Sequence, residues 1–159
     1  MTSIPTNTES DQTPKSLIRT SRFGEIEINT EKIISLTSPF LGFANEKRFV
    51  LVPHSDESAF WWLQAVDNPN LAFVVLQPAI ITPQYNPPIP HSVCVELQAS
   101  SPAEIGLLLI ITIPQGNPQK MTANLLGPVA LNAAKCLAKQ ILLDPTLYSP
   151  CWPILQEND

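Results

Sequence analysis

The side chains able to do acid–base or nucleophilic chemistry are few in this sequence. His54, Asp56 and Ser58 fall in one short polar stretch, PHSDES. A serine activated by histidine and oriented by aspartate is the chemistry such a set would supply. Catalytic triads, however, draw on residues distant in the chain and set in place by a fold, so a local cluster in a polar turn reads as solvent-facing. Asp56 and Glu57 are adjacent, so their side chains diverge and suit a solvated loop better than a metal site. His54 and His91 are the only histidines, and Cys94, Cys136 and Cys151 are far apart with no Cys-x-x-Cys. No zinc or haem site is expected, and the three cysteines read as buried free thiols. Neither a glycine-rich phosphate loop nor a Gly-x-Ser-x-Gly elbow occurs. The expectation is a protein that is not an enzyme and needs no cofactor.

Charge is sparse and unevenly placed. Of 159 residues 44% are hydrophobic and 14% charged, with net charge −5; the pI is about 4.9. That acidity argues against direct nucleic-acid binding. Residues 49–119 contain no Lys or Arg, yet Asp56, Glu57, Asp67, Glu96 and Glu104 fall there. Two readings stay open: a weakly charged and mostly buried β region, or an acidic face that steers a basic partner. The longest apolar run, GLLLIITI at residues 106–113, is far short of a membrane span. The first residues have neither an apolar core nor a basic start, so a cytoplasmic protein is expected.

The elements that would position these residues are short. Residues 1–16 are polar and read as a flexible tail, 17–155 as a single domain, and 156–159 as a second tail. With 17 prolines and 5 glycines, the chain favours brief segments stopped by rigid turns. Residues 20–28 alternate in part and are broken at Gly24, which suits one edge or bulged strand. KRFVLVPH, FWWLQAV and LAFVVLQP follow as strands; the last two are apolar on both faces and therefore call for cover on both sides. Trp61 and Trp62 face opposite ways, one toward the core and one toward an edge or partner. Asn68-Pro69-Asn70 makes the turn between two adjacent antiparallel strands. A proline-rich loop precedes VCVELQ, whose pattern fits either a strand or a single helical turn. EIGLLLIITIP reads as a strand, residues 121–132 run apolar with a break at Gly127 and Pro128, and AKQILL would close the sheet. Seven or eight short strands predict an all-β fold, a compact barrel or sandwich of antiparallel strands with little helix.

Four ordered pieces of the sequence carry a resemblance. SRFGEIEI, LGFANEKRFVLV, FWWLQAVDNPNLAFVV and TIPQGNPQKMTANLLGPVALN resemble, in that order, the flagellar assembly factor FliW family, over about residues 21–154. The resemblance implies a β-barrel-like cytoplasmic protein with no catalytic activity and no cofactor. It also implies two partners: flagellin, held before export, and CsrA, a small basic RNA-binding dimer that represses translation of flagellin mRNA. Release of the protein from flagellin would free it to bind CsrA and lift that repression. The sequence departs from the family's usual pattern in three places. The turn reads Asp-Asn-Pro-Asn where the family usually has Asp-Asp-Pro-Asp. VCVELQ stands where a more acidic short helix is usual. The closing LDPTLYSPCWPIL lacks basic residues.

Candidate partner contacts are Glu46, Asp56, Glu57, Asp67 and Asn70, with Met121 and Asn124 as a second patch. Each also has a plain structural role open to it: turn formation at Asp67 and Asn70, a solvated loop at Asp56 and Glu57, and satisfaction of buried backbone groups by Asn124. Two alternatives stand beside the main reading, a ligand-binding β-barrel and a flagellin-only chaperone that has lost CsrA binding. A monomer is expected.

Overall fold

Residues 14–155 are described by the computed structural model. The first two strands are one hairpin. β1 (Lys15–Thr20) pairs antiparallel with β2 (Gly24–Asn29), from Lys15 opposite Asn29 to Thr20 opposite Gly24. The Thr20 hydroxyl donates to the Gly24 carbonyl at 2.8 Å and accepts from the Phe23 N–H at 2.8 Å. Gly24 leaves this turn at φ +70°, where a side chain is unfavourable. The single strand expected over 20–28 is therefore corrected to a turn and a second strand. β1 takes in Lys15 and Ser16, which the sequence assigned to the tail; residues 1–13 and 156–159 lie outside the described residues.

The remaining strands are β3 (Ile34–Leu36), β4 (Arg48–Pro53), β5 (Trp61–Ala65), β6 (Ala72–Leu76), β7 (Gly106–Thr112), β8 (Thr122–Ala123), β9 (Val129–Asn132), β10 (Leu137–Gln140) and β11 (Trp152–Pro153). β7, β6, β5, β4, β3, β10 and β9 are neighbours in that order, and β9 returns to β7, so these strands close a seven-stranded barrel. β8 and β11 extend the sheet beyond β7. The pairings are antiparallel with one exception. β10 runs parallel to β3, with Leu137 opposite Ser35, which corrects the expectation of antiparallel strands throughout. AKQILL does close the sheet, but through that parallel seam.

Closure hides most of the sheet edges and gives the apolar residues two places to go. Ile34, Phe40, Phe49, Leu63, Ala65, Val75, Leu108, Val129 and Ala138 fill the interior. The outer faces are covered too, as strands apolar on both faces require. The β1–β2 hairpin lays Ile18 and Ile28 on Val50. Leu76, Leu109 and Ile111 pack with Ala123 and Leu125 on a second flank. VCVELQ resolves as helix: α1 (His91–Glu96) places Val93 and Cys94, with Leu97 just beyond, against Ile105, Ala130 and Ile141. Neither adjacent tryptophan belongs to the barrel interior. Trp61 is exposed, and Trp62 lies beneath Arg22, whose guanidinium carbon is 4.0 Å from the ring centroid. Only Cys94 is buried. Cys136 is half-buried and Cys151 exposed, which corrects the reading of all three as core thiols.

Candidate partner-binding surface

Strand directions sort the loops into two ends. β4 is antiparallel to β3 and β5, and β10 is parallel to β3. The segments 37–47, 66–71 and 113–128, and the chain after Gln140, therefore leave the barrel at one end. The tight β4–β5 turn at 54–60 and the β9–β10 turn at 133–136 leave at the other. This division brings Glu46, Asp67, Asn70, Met121 and Asn124 to one end. Asp56 and Glu57 sit apart at the opposite end, exposed in their turn.

Most of the expected contact residues are engaged within the chain. Asp67 accepts both arms of the Arg48 guanidinium, at 2.7 and 3.0 Å. Hydrogen bonding from Arg48 holds the Asp67 carboxyl below its ordinary range. Glu46 accepts from the Asn68 amide at 3.3 Å, and the Asn68 side-chain oxygen accepts from the Asn70 N–H at 3.0 Å. The Asn70 side chain accepts from the Ser21 hydroxyl, and the Pro69 carbonyl accepts from the Ser21 N–H at 2.8 Å, so this turn also anchors the hairpin tip. Asn124 accepts from the N–H groups of Leu126 and Gly127 at 3.0 and 2.9 Å, satisfying the bend before β9. Met121 is half-buried against the Leu76–Leu109 flank.

The acidic stretch also has counter-ions after all. Arg48 and Lys139 lie outside residues 49–119 in sequence but fold onto Asp67 and Glu96. Lys139 Nζ stands 2.8 and 3.1 Å from the two Glu96 oxygens, and the Thr37 hydroxyl donates to Glu96 at 2.7 Å. These bonds, Lys139 first, lower the Glu96 carboxyl. The Glu104 carboxylate accepts from the Ser100 N–H at 3.1 Å. Within residues 49–119, Asp56 and Glu57 are the exposed acids left with no ion pair or side-chain hydrogen bond among the described residues.

The feature missed by the sequence reading is apolar. A groove of about 490 Å³ opens at the same end as Asp67, between the 39–43 loop and residues 124–127 and 140–142. Its floor is an aromatic cluster. Phe73 meets Phe40 and Phe43 edge-on at 5.4 and 5.1 Å, and Phe40 leans on Phe49 at 5.4 Å. Its lips, Leu41 and Leu142, are 90% and 78% exposed. Large apolar side chains held in water at the rim of a groove mark an interaction site. The clue in the sequence was LGF: Gly42 at φ +87° turns the loop and leaves Leu41 outside, while Phe43, still exposed, meets Phe73 edge-on.

Together these features define a small all-β barrel with a packed interior, a rim of internally paired polar residues and an apolar mouth. No group of three or more His, Cys, Asp or Glu residues able to hold a metal occurs among the described residues. Nor is any helix there long and apolar enough to cross a membrane. The chain belongs to the FliW family: the family model described as FliW protein matches residues 16–154. It is 39% identical over 140 residues to the flagellar assembly factor FliW of Geobacter sulfurreducens, covering 88% of this chain and 87% of that protein. The Geotalea uraniireducens protein of the same name is 37% identical over 142 residues, covering 89% and 86%. A crystal structure of the flagellar assembly factor FliW superimposes with a TM-score of 0.82 at 31% identity, covering 91% of this chain and all of that one.

Proposed function

We propose that this chain works in flagellar assembly by binding flagellin in the cytoplasm before export and by binding CsrA when flagellin has left. In that reading it is a monomeric, non-enzymatic switch without a cofactor, and its binding of CsrA relieves repression of flagellin mRNA. The observation that carries the proposal is the family match spanning residues 16–154. The apolar mouth supports a flagellin contact there, with Glu46, Asp67, Asn70, Met121 and Asn124 around it. Asp56 and Glu57 form the acidic turn best able to steer a basic partner.

Calorimetric titration against flagellin and against CsrA, at low and physiological salt, tests the proposal. Leu41→Asp with Leu142→Asp should abolish flagellin binding without lowering thermal stability, since both side chains are exposed. CsrA binding should weaken as salt rises. Binding to neither partner would refute the proposal. The flagellin-only reading gains from the ion pairs at Asp67 and Glu96, which remove two acids from the field a basic partner would meet. Under that reading CsrA gives no heat at either salt concentration.

A further inference from the structure

The barrel end opposite the apolar mouth carries a second cleft, of about 600 Å³, between the β1–β2 hairpin and the barrel wall. Its lining includes consecutive residues 26–29 of β2 and consecutive residues 50–53 of β4. Successive side chains of a strand point to opposite faces. A consecutive run lines one cleft only where the cleft follows the strand's edge. Both edges are open among the described residues. β2 pairs with β1 alone. β4 is paired along its whole length on the β5 side, but on its other side β3 covers only Arg48 and Phe49.

We propose that this cleft is a strand-accepting slot: an extended segment of a partner protein lies between β2 and β4 and pairs its main chain with the free edge of β4. Open edges in an otherwise closed barrel are templates for an added strand. A helix satisfies its own backbone groups and would leave these edges bare. The volume lies within the ~300–1,000 Å³ range of ligand clefts. Residues 50–53 offer about 13 Å of edge at roughly 3.3 Å per residue, which suits a segment of about four residues. Pro53, lacking an N–H, ends the ladder.

The lining specifies the segment's chemistry. Ile26, Ile28, Val52 and Leu131 give apolar walls that ask for apolar side chains at alternate positions. Glu27 is balanced by Lys15 at 3.6 Å, whereas Lys32, which also lines the cleft, has no ion pair among the described residues. The segment therefore carries an acidic residue where it meets Lys32. This slot lies at the opposite end of the barrel from the apolar mouth and does not depend on the flagellin reading.

The test uses the full chain and two fluorescein-labelled hexapeptides, Glu-Val-Thr-Val-Thr-Lys and its reverse, which cover both strand directions. One should bind saturably in an anisotropy titration and slow amide hydrogen exchange at residues 50–52. N-methylating its alternate amides, which leaves the side chains in place, should weaken binding at least about tenfold, the scale of one or two lost backbone hydrogen bonds. Ala133→Trp places an indole in the cleft from an exposed turn position, and should remove binding while leaving the thermal midpoint unchanged. The proposal is overturned if neither peptide saturates, or if N-methylation or Ala133→Trp makes no difference. It is equally overturned if every amide of residues 50–52 is already protected in the free protein.

Discussion

Gln64→Met separates two opposed effects at the most deeply buried polar side chain of the barrel wall. Gln64 is fully buried, and its Nε2 donates to the carbonyls of Ala65 and Leu71 at 3.1 Å and of Asn68 at 3.3 Å, with Pro69 at 3.5 Å. Its Oε1 has no partner. Loss of a bonded buried amide ordinarily costs much because the acceptors it served are stranded. Here three of them keep another donor. Leu71 O still accepts from the Ala65 N–H at 2.9 Å, Asn68 O from the Leu71 N–H at 3.2 Å, and Pro69 O from the Ser21 N–H at 2.8 Å. The loss then reduces to two short hydrogen bonds, at a net ~1 kcal/mol each. Removing the orphaned Oε1 returns roughly 1–3 kcal/mol of desolvation, and methionine fills a similar shape. The two nearly cancel. Gln64→Met should change stability by less than about 1 kcal/mol, a midpoint shift within roughly 2–4 °C. Urea denaturation followed by tryptophan fluorescence reads this directly. A loss near 3 kcal/mol would refute the reasoning and make the amide an indispensable brace of the 66–71 turn.

Asp67→Asn tests the rim. The folded Asp67 carboxyl is held below its ordinary value of 3.8, so its contribution is present above that pH and disappears as pH falls through the lower folded value. The advantage of the native protein over Asp67→Asn should be at most about 1 kcal/mol at pH 7, because the pair is half-exposed, and should vanish in acid-denaturation curves below pH 3.8. Phe49→Ala, at a fully buried position in the barrel interior, should cost about 3–5 kcal/mol in the same urea assay. Iodoacetamide followed by peptide mass spectrometry should find Cys151 alkylated first and Cys94 only after denaturation, following their exposure.

Much of the barrel could be read from periodicity, and the failures have identifiable causes. β4, β6 and β7 each join β-branched and apolar residues to a hard stop at Pro53, Pro78 or Pro114, and all three lie where the patterns placed them. The Asn68-Pro69-Asn70 turn joins antiparallel strands as its residue types require. α1 was undecidable from pattern because six residues fit a period of 2 about as well as one of 3.6. The β1–β2 hairpin was misjudged because Gly24 looked like a break within a strand. Its turn is instead built by the Thr20 hydroxyl. β3 and its parallel seam with β10 could not be seen, since three residues carry little pattern and the pairing joins segments far apart in the chain. The same distance hid the charges. Asp67 and Glu96 looked unbalanced because their cations lie 19 and 43 residues away. The apolar mouth escaped because an exposed leucine is unremarkable in sequence. It acquires meaning once the fold sets Leu41 opposite Leu142.

The arrangement of these features constrains how a two-partner switch can work. The apolar mouth and the Asp56–Glu57 turn sit at opposite ends of a barrel whose interior is filled by Phe49, Leu63, Val75 and Val129. Partners confined to opposite ends share no contact surface, so they would not exclude each other by direct overlap. If flagellin takes the mouth, as proposed, direct competition requires CsrA to cover the mouth too, or to reach around the wall to it. Mixing the three proteins and resolving them by size distinguishes the cases. A stable ternary complex, lost when Asp56 and Glu57 are neutralised, would place CsrA at the acidic turn and remove direct competition from the account. Mutually exclusive complexes, both abolished by Leu41→Asp with Leu142→Asp, would assign both partners to the mouth and leave the acidic turn with steering alone.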